Sequence, residues 1–249
     1  MKRLDGKVAV VTGAARGLGA AIASRFAQEG ARVLLADIDE DAVAAAAKQL
    51  NQRALCADVA QRSEVERMIA TATHELGPVD ILVNNAGVYR NSPLQDLTEA
   101  EFDRVVAVNL KAALFGIQAV APQMIARRSG CIVNVASIAA RLGAIGTIAY
   151  SAAKAGVVQL TTVAAIELAP HNVRVNAIGP GTFATEMSAG AYADPALQAR
   201  VLSRIPMGRT GLPQEAAGVA LFLASEDSSY VTGKTIYADG GRLGLNLTM

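Results

Sequence analysis

The sequence predicts an α/β fold, a single domain built on a doubly wound, seven-stranded parallel sheet with helices on both faces. Three observations carry that reading. Short β-branched runs alternate with longer Ala-rich segments of helical period, the pattern of parallel strands joined by crossover helices. Several of the strand runs are apolar throughout instead of alternating, as strands covered on both faces are. A chain of 249 residues, 52% of them hydrophobic, is also long enough to bury one large core.

In chain order, the first strand is expected over residues 7–11 and feeds a glycine-rich turn and a helix over 18–28. A strand at 32–36 and a helix at 40–50, with its alanine run at 44–47, form the second unit. A strand at 53–57 and a helix at 63–76 form the third, and the strand at 81–83 the fourth. The segment 99–126, rich in Ala and Leu with few breakers, reads as one long helix. Then come a strand at 131–135, a helix at 151–168, a strand at 174–177, a helix at 213–224 and a last strand at 235–238. Residues 182–211 differ: Gly190, Pro195, Pro206 and Gly208 punctuate them, and Met187, Tyr192, Leu197, Leu202 and Met207 supply apolar contacts. That stretch reads as a mobile substrate lid.

Charge excludes some functions. Lys plus Arg total 23 against 22 Asp plus Glu, so no general field attracts polyanions, and nucleic acid is not an expected partner. The apolar residues come in short runs broken by charge, Gly or Asn, and no stretch is expected to cross a bilayer. Asp5, Gly6 and Lys7 interrupt the N-terminus, and the apolar run at 8–11 is too short for a signal peptide, so the expected location is cytoplasmic. Cys56 and Cys131 each sit in a strand run and read as inert buried thiols. His74 and His171 stand apart from both and from each other, which leaves no zinc spacing; no metal is expected.

The chemistry begins at the first turn, Thr12-Gly13-Ala14-Ala15-Arg16-Gly17-Leu18-Gly19. Gly13 allows the tight turn, Gly17 lets backbone approach a pyrophosphate, and Gly19 permits close packing of helix on strand, while helix N–H groups face the anion. Asp37 closes the second strand, where a carboxylate accepts hydrogen bonds from adenosine ribose hydroxyls and repels a 2′-phosphate; this favours NAD over NADP. Its lesser alternative is a cap on the helix that starts near Asp39. Ile38 offers no cation to a phosphate, although Arg16 in the turn could. Asp58 and Val59, past the third strand, are placed to line an adenine, with Asp58 as a helix cap the other reading. Asn84-Asn85-Ala86-Gly87 puts amides and small residues at the carboxyl end of the fourth strand, where ligands sit in such sheets.

Ser137 ends the fifth strand, and a later helix opens with Tyr150-Ser151-Ala152-Ala153-Lys154. Tyr and Lys at i and i+4 share a helix face. Hydride transfer to a ketone leaves an alkoxide that needs a proton; a phenol supplies it, and a neighbouring ammonium lowers the phenol's pKa toward neutrality. Ser137 is placed to hold the substrate oxygen. Asn109 lies inside the long helix, where an amide is disfavoured, between apolar neighbours that point to a buried amide.

Together these residues resemble the short-chain dehydrogenase/reductase family, over residues 7–241. The T-G-x3-G-x-G turn, the N-N-A-G strand end and an Asn-Ser-Tyr-Lys tetrad match Thr12 to Gly19, Asn84 to Gly87, and Asn109, Ser137, Tyr150 and Lys154. The resemblance implies a Rossmann fold, that Lys154 and Tyr150 bind the nicotinamide ribose, and that Asn109 holds a water feeding a proton relay. It also implies that Pro180, Gly181 and Thr185 bind the carboxamide, and that Asn85, Ala86 and Gly87 line the cofactor. A homotetramer follows by the same analogy, with the helix at 99–126, the Tyr-Lys helix and the last strand in contacts between subunits. Segments 174–181, 205–208 and 237–241 look especially like bacterial glucose and other aldose 1-dehydrogenases.

The substrate pocket is expected from positions 88–92, 138–147 and 186–205. There Tyr89, Arg90 and Asn91 are polar while Leu142, Ile145, Met187 and Tyr192 are not, a mix suited to a sugar, polyol or hydroxyketone. Arg90 either meets a substrate carboxylate or stands in solvent. The alternative enzyme is a 3-oxoacyl thioester (acyl-carrier-protein) reductase, with Arg127 and Arg128 meeting an acidic carrier. The alternative of another class is a non-catalytic NAD-binding protein, for which the presence of both Tyr150 and Lys154 is unexpected.

Overall fold

The structure is a computed structural model that describes residues 2–186 and 194–245. Among these residues seven strands form one all-parallel sheet: β1 (Val8–Thr12), β2 (Arg32–Asp37), β3 (Arg53–Cys56), β4 (Ile81–Asn84), β5 (Gly130–Val135), β6 (Val173–Pro180) and β7 (Thr235–Ala238). Their order is β3-β2-β1-β4-β5-β6-β7. Every strand expected from the sequence is present, with ends displaced by a few residues.

Successive residues of each strand serve opposite layers, as the period of two requires. Ala9, Val11, Val33, Leu35 and Val83 pack with Ile22, Phe26, Val43 and Leu221, which belong to α1 (Gly17–Gln28), α2 (Glu40–Leu50) and α8 (Pro213–Ala224). Val8, Val10, Leu34, Leu82 and Ile132 pack on the other face with Met68, Ile117 and Leu168, from α3 (Arg62–Leu76), α5 (Ala112–Arg127) and α6 (Ile148–Leu168). Local signals start and stop these helices. The Asp39 carboxylate accepts from Ala42 N at the head of α2, and Asn51 closes it in the left-handed region at φ 52°. Thr98 and Glu101 form a reciprocal capping box at the head of α4 (Glu99–Val106).

Three expectations are corrected here. The helical run from 99 is broken by a π-helical turn, Ala107–Lys111, before it continues as α5. By length and composition Glu99–Arg127 and Ile148–His171 each hold a stretch apolar enough to cross a bilayer, with mean hydropathy 1.5 and 1.3 over that stretch. The charges and turn residues that seemed to interrupt them lie near their ends, at the π turn or, for Lys154, buried inside α6, and both helices pack one face on the sheet. Cys56, expected to be buried, is half-buried because β3 is the sheet's edge strand, whereas Cys131 is enclosed. Burial pushes the Cys131 thiol up to about 11.

The order reverses between β1 and β4, whose crossovers leave in opposite directions. The crevice opened at their carboxyl ends is the topological switch point where open parallel sheets bind ligands. Segment 182–211 contains α7 (Pro195–Leu202), capped by the Asp194 side chain, and a bridge between Phe183 and Gly211. Met187 and Tyr192, assigned to the lid, lie outside the described residues.

Candidate active site

Parallel pairing of Val11 with Val83 sets the end of β1 beside the end of β4. There the Thr12 hydroxyl accepts the backbone N–H groups of Asn85 and Ala86, each at 3.0 Å. The Asn85 amide donates to Thr12 O at 2.8 Å and Gly13 O at 3.0 Å. Asn85, expected to line a ligand, thus spends its side chain bracing the glycine turn. Gly13 has φ 63°, and a Cβ there would stand 2.8 Å from Ala86 Cα. A Cβ on Gly19 would collide with Gly13 O, so the close approach of helix and turn needs glycine at both positions. Gly17 turns left-handed at φ 59°, its open side facing Thr185. Helix α1 then starts behind Arg16, which supplies no side-chain cap, with half-buried Leu18 in the first turn. The first N–H groups of the helix are left for an anion.

At the end of β2 the two carboxylate oxygens of Asp37 accept from Ala15 N and Asp39 N, each at 3.1 Å. The helix cap is Asp39, not Asp37, and a carboxylate with about four acceptor positions keeps two unspent. Arg16 reaches the carboxylates of Asp39 at 3.3 Å and Glu186 at 3.1 Å. Its cation is thereby committed to acidic partners. Asp58 accepts from Ala60 N in a local turn, without capping α3, and Val59 is buried. Pro180 closes β6, and Gly181 N donates to Ala238 O at 2.8 Å, which sets that turn against β7.

The proton-handling groups gather at the ends of β5 and α6. Ser137 accepts from Ala139 N through its hydroxyl and stands close enough to the Tyr150 phenol to lower its pKa. Burial pushes the Tyr150 pKa above its ordinary value; the Ser137 hydroxyl pulls it down less strongly, and nearby Tyr89 adds a push upward. The expected lowering by the Lys154 ammonium is therefore corrected. Lys154 lies 5.7 Å from the centre of the Tyr150 ring, and its own pKa is pushed down to about 8 by burial. It donates to Val135 O at 2.7 Å.

Asn109 is carried into this cluster by the π-helical turn and is 3% exposed. Its Nδ2 donates to Val88 O at 2.9 Å and Val105 O at 3.0 Å. With both donors used, Oδ1 is buried and has no hydrogen-bond partner among the described residues. A Cβ on Gly87 would sit 2.7 Å from this oxygen and 3.6 Å from Lys154 Nζ. Glycine there keeps open the space between amide and ammonium, beside a small cavity of about 10 Å³ lined by Thr12, Asn84, Ala86, Val108 and Asn109.

Some positioning groups escaped the sequence reading. Asn84 Nδ2 donates to Asn134 Oδ1 at 2.8 Å, and Asn134 Nδ2 to Thr161 Oγ1 at 2.9 Å, a buried chain tying β4, β5 and α6 together. The polar residue inside the apolar run of β5, and a threonine seven positions after Lys154 on the same helix face, were its signals. Arg127 and Arg128, assigned to a carrier protein, sit at the amino end of the sheet, just before β5, opposite the site. Arg127 pairs with Asp80 at 3.0 Å, and Arg128 donates to Pro170 O.

A family model described as Enoyl-(Acyl carrier protein) reductase matches residues 13–242. The chain is 42% identical to the 3-oxoacyl-(acyl-carrier-protein) reductase of Thermotoga maritima, over 96% of this chain and 98% of that protein. It is 39% identical to the sorbitol dehydrogenase of Cereibacter sphaeroides, over 96% and 98% respectively. The crystal structure of a short-chain type dehydrogenase/reductase from Mycobacterium marinum superposes with a TM-score of 0.90 at 37% identity, covering 96% of each chain.

Proposed function

The chain belongs to the short-chain dehydrogenase/reductase family, oxidoreductases that bind a nicotinamide cofactor and act on CH–OH groups, and we propose that it is an NAD-dependent dehydrogenase of a sugar, polyol or hydroxyketone. The observation that carries the chemistry is the convergence of Ser137, Tyr150, Lys154 and the unpartnered Asn109 oxygen beside the glycine turn. The residues present fit the cofactor. Left-handed Gly13 and Gly17, with the uncapped start of α1, make a backbone cradle for a pyrophosphate. In this reading the turn from Gly13 to Gly19, with Arg16 and Leu18, holds the diphosphate, Asp37 the adenosine ribose, and Asp58 and Val59 the adenine. Asn85, Ala86 and Gly87 form the wall, Tyr150 and Lys154 hold the second ribose, and Pro180, Gly181 and Thr185 hold the carboxamide. The choice of NAD rests on Asp37, whose carboxylate repels a 2′-phosphate, and on Arg16 being paired with Asp39 and Glu186.

When bound, the nicotinamide supplies the hydride acceptor or donor. The chain's own groups handle the proton. Ser137 Oγ hydrogen-bonds the substrate oxygen and fixes it near the Tyr150 hydroxyl. In oxidation the phenolate oxygen of Tyr150 takes the substrate's hydroxyl proton, and in reduction the phenol returns it. Lys154, whose charge is retained below pH about 8, holds its ammonium beside the Tyr150 ring and would anchor the second ribose. Asn109 Oδ1 and Lys154 Nζ flank a position suited to one bridging water, the route by which the proton leaves.

NADH formation tests this with a panel of aldoses, polyols and acyclic secondary alcohols, run beside Tyr150→Phe. Turnover of sugars or polyols, lost in the variant while NADH still binds, is expected. Equal rates in the two proteins would overturn the role of Tyr150. Activity confined to acyl thioesters would favour the second reading, reduction of 3-oxoacyl thioesters, which rests on the name of the Thermotoga relative. We further propose a homotetramer: Ile148, Val163 and Ile166 of α6 and Phe102 of α4 expose apolar side chains, Ile166 to 69%. Light scattering of the purified protein measures it directly.

A further inference from the structure

The loop after β4 places a second phenol at the mouth of the site. Tyr89 and Tyr150 meet edge to face, ring centroids 5.3 Å apart and planes at 78°. Such a contact between quadrupoles restrains both rings. Tyr89 is itself 42% exposed, so it meets the Tyr150 ring while part of the residue remains in solvent.

The loop that carries it is pinned on both sides. Val88 O, immediately before Tyr89, accepts the buried amide of Asn109 at 2.9 Å. Three residues on, Ser92 N donates to Gly146 O at 2.9 Å. Gly146 has φ 79°, and a Cβ there would collide with Asn91 Oδ1, so the loop after β4 and the loop before α6 interlock at this point. Val88 and Tyr150 also pack against the same small cluster of Val105, Ala149 and Ala153. Tyr89 is therefore held in a fixed relation to the proton-transferring phenol.

We propose that Tyr89 is a specificity-determining residue: its ring braces Tyr150, and its hydroxyl hydrogen-bonds a substrate hydroxyl on the carbon next to the one that reacts. The ligand class this selects is a vicinal diol, as in a sugar or polyol, over a lone secondary alcohol. A phenol suits that role because it both donates and accepts, and so takes either face of a substrate hydroxyl. The same group raises the Tyr150 pKa, as a close second phenol would. Because Tyr89 is partly in solvent, water replaces a missing partner, and the preference is bounded at about an order of magnitude.

The inference rests on the dehydrogenase reading above, and a matched substrate pair separates the two. Cis-1,2-cyclohexanediol and cyclohexanol differ by one hydroxyl, and NAD reduction is followed with each for the wild type, Tyr89→Phe and Tyr89→Ala. The expected wild type prefers the diol in kcat/KM. Tyr89→Phe keeps the ring and loses the hydroxyl, so the diol-to-alcohol ratio of kcat/KM should fall about three- to ten-fold, mainly through a higher KM for the diol. Tyr89→Ala also loses the brace, so kcat should fall for both substrates. A wild type that oxidises both, with a diol-to-alcohol ratio unmoved in Tyr89→Phe, overturns this proposal alone. A wild type that oxidises neither overturns the substrate class as well. Thermal unfolding of each variant separates a folding defect from a specificity change.

Discussion

Replacing Lys154 by methionine should make the protein more stable at neutral pH while removing most of its activity. Lys154 is 3% exposed, and burial lowers its pKa from 10.5 to about 8. At pH 7 the fold therefore encloses an ammonium whose lost hydration the surroundings replace only in part. At about 1.4 kcal/mol for each tenfold change in proton affinity, the penalty is about 3 kcal/mol. Against it stands the hydrogen bond from Nζ to Val135 O at 2.7 Å, worth about 1–2 kcal/mol for a charged donor. Methionine replaces the aliphatic stem without the charge, so the net gain is about 1–2 kcal/mol. The sign changes with pH in a defined way. Between pH 8 and 10.5 the native lysine has lost its proton while the unfolded one keeps it. The unfolded state then binds more protons, and wild-type stability rises with pH through that window. The variant's advantage should accordingly shrink above pH about 8. Urea unfolding of both proteins at about pH 7 and about pH 9.5 measures this. A variant no more stable than wild type at the lower pH, or an advantage that does not narrow at the higher one, refutes the reasoning. In the same preparations turnover should drop by about a hundred-fold or more.

Other perturbations follow from the same geometry. Asp37→Ala should lower the ratio of NAD to NADP efficiency by about ten- to a hundred-fold, the worth of one or two charge-assisted hydrogen bonds; an unchanged ratio in steady-state kinetics would reject its role. Gly13→Ala forces a side chain into the left-handed region and toward Ala86 Cα, and should cost about 1–3 kcal/mol in stability and weaken NADH binding, read by fluorescence titration. Thr161→Val strips the acceptor from Asn134 Nδ2 and should destabilise by about 1–3 kcal/mol. Thr161→Ser keeps the acceptor, so it should cost less in chemical denaturation, and equal losses in the two variants would mean the hydroxyl is not what matters.

The sheet was legible because its grammar is local. Uninterrupted runs such as Val8 to Val11 have no polar face to offer solvent, and Asn51, Thr98 and Pro213 mark helix ends by chemistry within a few residues of themselves. The glycine turn was legible for the same reason, since Gly13 and Gly19 are required by contacts within reach of the motif itself. What escaped depends on distant neighbours. Whether Cys56 is covered depends on β3 having nothing beyond it. Which acid caps α2 depends on where Ala15 and Ala42 fall in space. Arg127 and Arg128 look like a basic patch in sequence, yet their partners Asp80 and Pro170 and their place at the amino end of the sheet appear only on folding.

The electrostatics of Tyr150 show where local reasoning fails by its sign. From the i, i+4 spacing alone, an ammonium four residues along a helix lowers a phenol's pKa. In the fold, both groups are taken out of water, and desolvation acts on each toward its neutral form, the phenol upward and the ammonium downward. Proximity on one helix face then counts for less than burial, because Nζ turns to Val135 O and remains 5.7 Å from the ring centre. The enclosure has a chemical consequence, since it brings the proton affinities of phenol and ammonium out of their ordinary order and leaves Ser137 as the group that directly pulls the phenol down. Proton transfer at Tyr150 accordingly depends on the charge that arrives with cofactor and substrate. The free protein should show little phenolate below pH 10, and an ultraviolet titration that found it ionised near neutrality would mean that Lys154 acts in the free protein as the spacing alone suggests.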